Sequence, residues 1–174
     1  MRIIRRAIDK VFNRTIVIDE SSLLILTDRY KDINPATKKW PNDAVFICLK
    51  KTSVRKRATD YLEYVECNVI GYHDNPVGVY ADTITPVSDA VQNLYYLCIG
   101  RGYKDLVSVD KALNKEDPVL MDVLERAVDD PNLYAFIRAI GVYNDNLVST
   151  GAITEMYREE YKRRLKEYKP CLQK

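Results

Sequence analysis

The pattern of apolar and polar residues predicts strands in the first half of the chain and helices in the second half. Up to residue 85, β-branched and apolar residues come in short runs separated by polar turns, which is typical of strands. We predict strands at residues 15–19, 22–27, 44–51, 61–72 and 77–85. A tight polar stretch joins the first two, and a loop with two prolines at residues 32–43 precedes the third.

The N-terminal residues have a different pattern. Apolar residues recur at helical spacing between residues 3 and 12, and Arg2, Arg5 and Arg6 lie between them. We therefore predict a short amphipathic helix at residues 2–13.

The second half carries helix start signals. Thr85, Asp117 and Asp130 each stand directly before a proline, and a capping side chain followed by proline favours the start of a helix. We predict helices at residues 86–99, 118–129 and 131–140, with Gly100 and Gly141 as stop signals after the first and the third. A last helix at residues 151–169 has an apolar stripe formed by Ile153, Met156, Tyr157, Tyr161, Leu165 and Tyr168.

These elements predict an α+β fold, with an N-terminal helix and a mostly antiparallel sheet followed by a helical C-terminal half. A chain of 174 residues with 47% hydrophobic residues is long enough to bury the core of one domain. We predict a single domain at residues 1–174, mainly β with an N-terminal helix up to residue 84 and mainly helical from residue 85.

The apolar runs are short, and the longest are far below the roughly 20 residues that a membrane span needs. The N-terminus mixes basic and apolar residues and lacks the continuous apolar region of a secretory signal. We therefore expect an intracellular, cytoplasmic protein with no membrane partner.

Charge is sorted along the chain although the formal net charge is only +2. Residues 105–130 hold eight acidic and three basic residues, whereas the two ends of the chain are basic. A third basic region, the basic segment at residues 50–57, contains five positive charges and no acid: Lys50, Lys51, Arg55, Lys56 and Arg57.

The sequence offers little for catalysis. His73 is the only histidine, and the residues around it are typical of a turn. The four cysteines are too widely spaced for a structural zinc site, so we expect no metal. The glycines at Gly100 and Gly102 follow a helix and not a strand, which argues against a phosphate loop, and we expect no cofactor. A metal-dependent nuclease remains an alternative, through carboxylates that only folding could bring together: Glu20, Asp28, Asp43 and Asp60.

Polyanion binding has the stronger case. The basic segment lies between two predicted strands, so it is predicted to project from a hairpin tip and to contact phosphates. Tyr61, Tyr64 and Tyr72 follow on the next strand, where exposed rings could stack on bases. The opposite interpretation is that the basic segment is an ordinary solvated loop and that these rings fill the core.

The C-terminal helix has two interpretations. Its apolar stripe closes the core of the protein itself or packs on another subunit, and opposite charges on the basic and acidic regions would allow head-to-tail assembly into a homo-oligomer. The abundance of Tyr, Asn and Asp, the small size and the lack of a catalytic signature would suit a phage or viral accessory or assembly protein.

The interpretation we adopt is a binding module and not an enzyme. Its basic surface would contact nucleic acid or an acidic protein partner through the basic segment, with Arg2, Arg5, Arg6, Tyr61 and Tyr64 as further contacts. The alternatives are an assembly subunit that oligomerises through its terminal helices, and a metal-dependent nuclease or other hydrolase whose catalytic residues the sequence does not identify.

Overall fold

The computed structural model describes residues 14–56, 63–72, 76–141 and 150–172. The chain divides into two compact units, a strand unit at Met1–Pro86 and a helical unit at Val87–Lys174. The single domain at residues 1–174 stays a prediction. Within the described part of the chain, no helix has the length and apolar character needed to cross a membrane.

The strand unit contains seven described strands, joined mostly by short turns. Between β2 and β3 lie a one-turn helix, α1 (Asp28–Lys31), and a 3-10 turn at Pro35–Thr37. The strands are β1 (Arg14–Ile18), β2 (Leu23–Leu26), β3 (Val45–Cys48), β4 (Thr52–Lys56), β5 (Tyr64–Val69), β6 (Val77–Tyr80) and β7 (Ile84–Pro86).

Five of the strands form one antiparallel sheet in the order β6-β5-β3-β2-β7. Alternate residues of β5 are buried and exposed, as expected for a strand with one face on the core. The core on that face contains Leu24, Phe46, Val65 and Val79, and the ring of Trp40 packs edge-on against Phe46. The polar face of β5 is open to solvent.

The other two strands, β1 and β4, form a separate antiparallel ribbon that continues the pairing of β2 with β3. Ile18 lies opposite Thr52, and Leu23 lies opposite Ile47. Four residues separate these pairs on each strand, so the register is the same before and after the break. Ser21, at the break, has a φ of 66°, a left-handed conformation that interrupts a strand.

The predicted fold class, with an N-terminal helix and one mostly antiparallel sheet before the helices, is therefore wrong. The structure is mixed α+β with six helices and seven strands in two antiparallel sheets, counted over the described residues. The two segments predicted at residues 15–19 and 22–27 do not pair with each other, because the turn between them passes the chain from the ribbon to the sheet. The helix predicted at residues 2–13 lies outside the described residues.

Residues 77–85 were predicted as one strand, but the structure has two strands there, β6 and β7. A turn, in which Thr83 donates its N–H to the carbonyl of Tyr80 at 3.0 Å, separates β6 from β7, and these strands lie at opposite edges of the sheet. Thr85 and Pro86 pair with β2 instead of starting a helix. Proline is tolerated there because β7 is an edge strand.

The helical unit contains five described helices. They are α2 (Asp89–Gly100), α3 (Leu106–Asn114), α4 (Pro118–Ala127), α5 (Leu133–Gly141) and α6 (Thr150–Leu172). Helix α3 is not among the predicted helices. Helix α2 ends at Gly100, one residue beyond the predicted end, and Gly102 and not Gly100 takes the left-handed conformation after the helix, with a φ of 76°.

Side chains cap the helices at their N-termini. Ser88 caps α2, Asp105 caps α3 and Asp117 caps α4, each by accepting backbone N–H groups of the first turn. The predicted start at Asp117 and Pro118 is thus confirmed, whereas Ser88 and not Thr85 begins α2.

The helices pack around a core that α6 helps to close. Helix α2 packs on α4 and α5, and α6 packs on α5 and α4. Tyr161, Leu165 and Tyr168 of the predicted stripe are buried, whereas Met156 is exposed. Three of the six stripe residues are therefore buried in the protein's own core.

We expect Asp117→Ala to lower the free energy of unfolding of the helical unit by about 1–2 kcal/mol. The Asp117 carboxylate accepts N–H groups of Val119 at 3.0 Å and Leu120 at 3.4 Å, and it also pairs with Arg101. Asp117→Asn keeps the cap and removes the charge, so it should retain most of the stability. Urea unfolding followed by circular dichroism measures both variants, and equal losses would show that the ion pair and not the cap is responsible.

Candidate nucleic-acid interface

Two tyrosines form an exposed stacked pair on the solvent-facing side of β5 and β6. Tyr64 of β5 lies directly opposite Tyr80 of β6, and the ring centroids are 4.4 Å apart with 33° between the ring planes. Tyr64 is 54% exposed and Tyr80 is 37% exposed. The Tyr64 hydroxyl donates a hydrogen bond of 2.6 Å to the Tyr80 hydroxyl, so the two rings form one aromatic surface.

A glycine makes room for this pair. Gly78 lies two residues before Tyr80 on the same strand, and a Cβ atom there would come within 3.2 Å of Cδ1 of Tyr64. The Tyr64 ring therefore lies against a part of β6 that has no side chain. This contact holds the ring of an otherwise exposed tyrosine in place.

Strand direction places the tyrosine pair near the start of the basic segment. Strand β3 ends at Cys48, β5 begins at Tyr64 and β6 ends at Tyr80, and each neighbouring pair of strands is antiparallel. The end of β3, the start of β5 and the end of β6 therefore lie at the same end of the sheet. Lys50 and Lys51 follow β3 at that end, after Leu49.

Lys50 and Lys51 are exposed and lie at the break between the sheet and the ribbon. Because the register is unchanged across the break, they face the residues Asp19 and Glu20 of the other strand. Lys51 Nζ lies 3.5 Å from Oδ1 of Asp19, and both side chains are exposed. Two carboxylates thus reduce the positive potential of the first two lysines.

Residues 52–56 of the basic segment belong to the ribbon and not to a loop. The predicted hairpin tip is wrong for residues 52–56, which form β4. Register places Arg55 opposite Thr15 and Lys56 opposite Arg14. The ribbon strands contain these three cationic residues and no acid, so the positive charge increases along the ribbon away from the sheet.

Several predicted contacts lie outside the described residues. These are Arg2, Arg5, Arg6, Arg57 and Tyr61. Tyr72 follows the other end of β5, where it packs edge-on against Trp40 with centroids 5.7 Å apart, so it does not join the tyrosine pair.

Tyr80 is the residue that the sequence did not identify. Its sequence signal was present, because Gly78 and Tyr80 alternate with the buried Val79. What was missing was the pairing partner, since only the register of β5 with β6 brings Tyr80 against Tyr64.

Several basic residues of α6 have acidic partners within the helical unit. Arg163 pairs with Glu160 and Glu167, and Arg164 bonds to Glu160. These hydrogen bonds, from Arg163 first and Arg164 second, lower the pKa of Glu160 to about 2. Lys162 pairs with Asp129, at 3.0 Å. The α6 cations therefore stabilise the helix and its contacts and form a poor phosphate site.

A groove of about 520 Å³ lies beside α6, and both signs of charge line it. Burial raises the pKa of Asp110, whose Oδ1 atom is buried and has no hydrogen-bond partner among the described residues.

In the described part of the chain, no three His, Cys, Asp or Glu residues are grouped so that they could hold a metal ion. His73 and Asp60 lie outside it, and the nuclease and assembly alternatives stay predictions.

Comparisons of this chain with protein-family profiles, with curated proteins and with solved structures found no match.

We expect Tyr80→Phe to lower the pKa of Tyr64. The hydrogen bond to Tyr80 is the main cause that raises the Tyr64 pKa above its ordinary value, because the neutral hydroxyl is the donor. The hydrogen bond stabilises the folded protein at pH values below the ordinary pKa of tyrosine. This stabilisation is lost as the pH rises through the raised pKa of Tyr64. A nuclear magnetic resonance titration of the Tyr64 ring measures the change, with Tyr96→Phe as the control. An unchanged Tyr64 titration in Tyr80→Phe would contradict the hydrogen-bonded pair.

Proposed function

We propose that the strand unit binds single-stranded nucleic acid. Bases stack on the Tyr64–Tyr80 pair, and phosphates contact the ribbon formed by β1 and β4. The observation that carries the proposal is an exposed aromatic pair at the end of the sheet from which an acid-free cationic ribbon extends. No enzymatic step is part of this proposal.

Stacking supports a single strand as the ligand. Every base has a π face, so exposed aromatic rings bind unpaired bases of any sequence, whereas a duplex keeps its bases stacked on each other. Tyr64 and Tyr80 are held in place by each other and by Gly78, so little rotamer freedom is lost on binding.

Charge supports an anionic ligand whose binding depends only moderately on salt. Arg14, Arg55 and Lys56 provide three cationic positions in the ribbon, whereas Lys50 and Lys51 face carboxylates. Each phosphate contact to a single strand contributes about 0.7 to the slope of log affinity against log salt. We therefore expect a slope of a few units, with stacking supplying much of the affinity.

The stacking part is tested by fluorescence anisotropy with labelled single-stranded oligopyrimidine DNA and RNA. We expect Tyr64→Ala and Tyr80→Ala to weaken binding by about 5- to 100-fold, since base–aromatic stacking contributes about 1–3 kcal/mol per base. Tyr96→Ala, which removes an exposed tyrosine of the helical unit, is the matched control. No binding by the wild type at low salt would refute the proposal.

The charge part is tested with an Arg55→Ala and Lys56→Ala double variant. We expect weaker binding and a smaller slope of log affinity against log salt. Each lost phosphate contact means that fewer counterions are released from the nucleic acid on binding. Lys166→Ala, on the exposed side of α6, is the control for an unrelated loss of charge.

Two further ligands separate the remaining alternatives. If a duplex of the same length binds more tightly, and Tyr64→Ala does not weaken that binding, the ribbon inserts into a groove of the duplex. This outcome would contradict base stacking on the tyrosine pair. Binding of polyglutamate as tight as that of the oligonucleotides would indicate an acidic protein partner and would contradict the nucleic-acid proposal.

A further inference from the structure

Two free cysteines face each other across neighbouring strands in the core of the strand unit. Cys48 of β3 lies directly opposite Cys67 of β5, and both side chains belong to the core on the same face of the sheet. Cys48 is 1% exposed and Cys67 is fully buried. Their sequence separation gives no indication of this pairing.

The backbone hydrogen bonds show which kind of antiparallel pair this is. Leu49 donates its N–H to the carbonyl of Glu66 at 3.0 Å, and Ile70 donates to the carbonyl of Val45 at 2.9 Å. Hydrogen-bonded and non-hydrogen-bonded pairs alternate along antiparallel strands, so Cys48 and Cys67 form a non-hydrogen-bonded pair.

Non-hydrogen-bonded pairs bring side chains closest together. Their Cα atoms are about 4.5 Å apart. Disulfides span Cα separations of about 4.4–6.8 Å, so the two sulfurs are within bonding reach without a shift of strand register.

We propose that Cys48 and Cys67 are a modification site at which a peroxide forms a reversible disulfide within the strand unit. This inference rests on strand register and core packing, and it is independent of nucleic-acid binding.

The reaction proceeds in two steps that balance. The Cys48 thiolate, having lost its proton to water, attacks one peroxide oxygen, the O–O bond breaks, and Cys48 sulfenic acid and hydroxide form. Cys67 then attacks the Cys48 sulfur, the S–O bond breaks, and the hydroxyl leaves as water with the Cys67 proton. The two thiols lose two electrons in total, and hydrogen peroxide becomes two molecules of water.

Position in the sheet indicates that Cys48 reacts first. Cys48 is the last residue of β3, and its Sγ donates a hydrogen bond of 3.1 Å to the carbonyl of the exposed Lys50. A local opening of this turn gives a small oxidant access to Cys48. Burial raises the pKa of both thiols, that of Cys67 to about 12, which fits Cys67 as the thiol that resolves the Cys48 sulfenic acid and not as the one that reacts with peroxide.

The test is peroxide treatment of the folded wild-type protein, followed by alkylation under denaturing conditions and peptide mapping. The chain has four cysteines, and we expect two alkylated thiols to be lost and one cross-linked peptide pair joining Cys48 to Cys67. Cys98→Ser, in the helical unit, should give the same product. A main disulfide that joins any other pair, or no disulfide before overoxidation, would overturn the proposal.

Reversal provides a second measurement that does not depend on folding of a core variant. The Cα separation typical of non-hydrogen-bonded pairs, about 4.5 Å, is near the short end of the disulfide range, so we expect this bond to be readily reduced. We expect reduced glutathione to restore all four thiols in the folded protein. A disulfide that only a strong dithiol reductant opens would contradict a reversible site. Cys67→Ser is the companion variant, in which treatment should stop at Cys48 sulfenic acid, trapped by dimedone.

Discussion

The antiparallel pairing of β3 with β5 is the constraint on which the rest of the strand unit depends. This register buries Val65, Cys67 and Val69 and turns Tyr64 toward solvent. A slip of one residue would move every side chain of β5 to the other face, which would bury the tyrosine and expose the core residues. The candidate interface and the cysteine pair are therefore two consequences of one set of backbone hydrogen bonds.

The break between the ribbon and the sheet decides how charge is distributed. Lys50 and Lys51 have carboxylates opposite them at the break, whereas the ribbon beyond it has cations on both strands. Exposed ion pairs contribute little to stability, so the pairing of Lys51 with Asp19 matters mainly because it lowers the local potential. In the helical unit, Lys162, Arg163 and Arg164 of α6 are likewise paired with Asp129, Glu160 and Glu167.

Local signals predicted the parts of the fold that depend on a few neighbouring residues. Asp117 followed by Pro118 begins α4, because a carboxylate and a preset φ act within one turn. The run of apolar and β-branched residues at 61–72 identified β5, which the structure has at Tyr64–Val69. Thr85 and Pro86 gave a wrong prediction because only local residues were considered. They carry a local signal for a helix start, yet they pair with β2 in the sheet. Helix α3 was not predicted, because only the charge of its sequence was considered.

The sequence by itself determined where most helices and strands form, since periodicity and capping act over short distances. Only the tertiary structure decided that the strands divide into two sheets, that Tyr80 stacks on Tyr64 and that Cys48 faces Cys67. The physical reason is that strand pairing joins residues far apart in the chain. Register depends on the burial of whole strand faces, which no local pattern encodes.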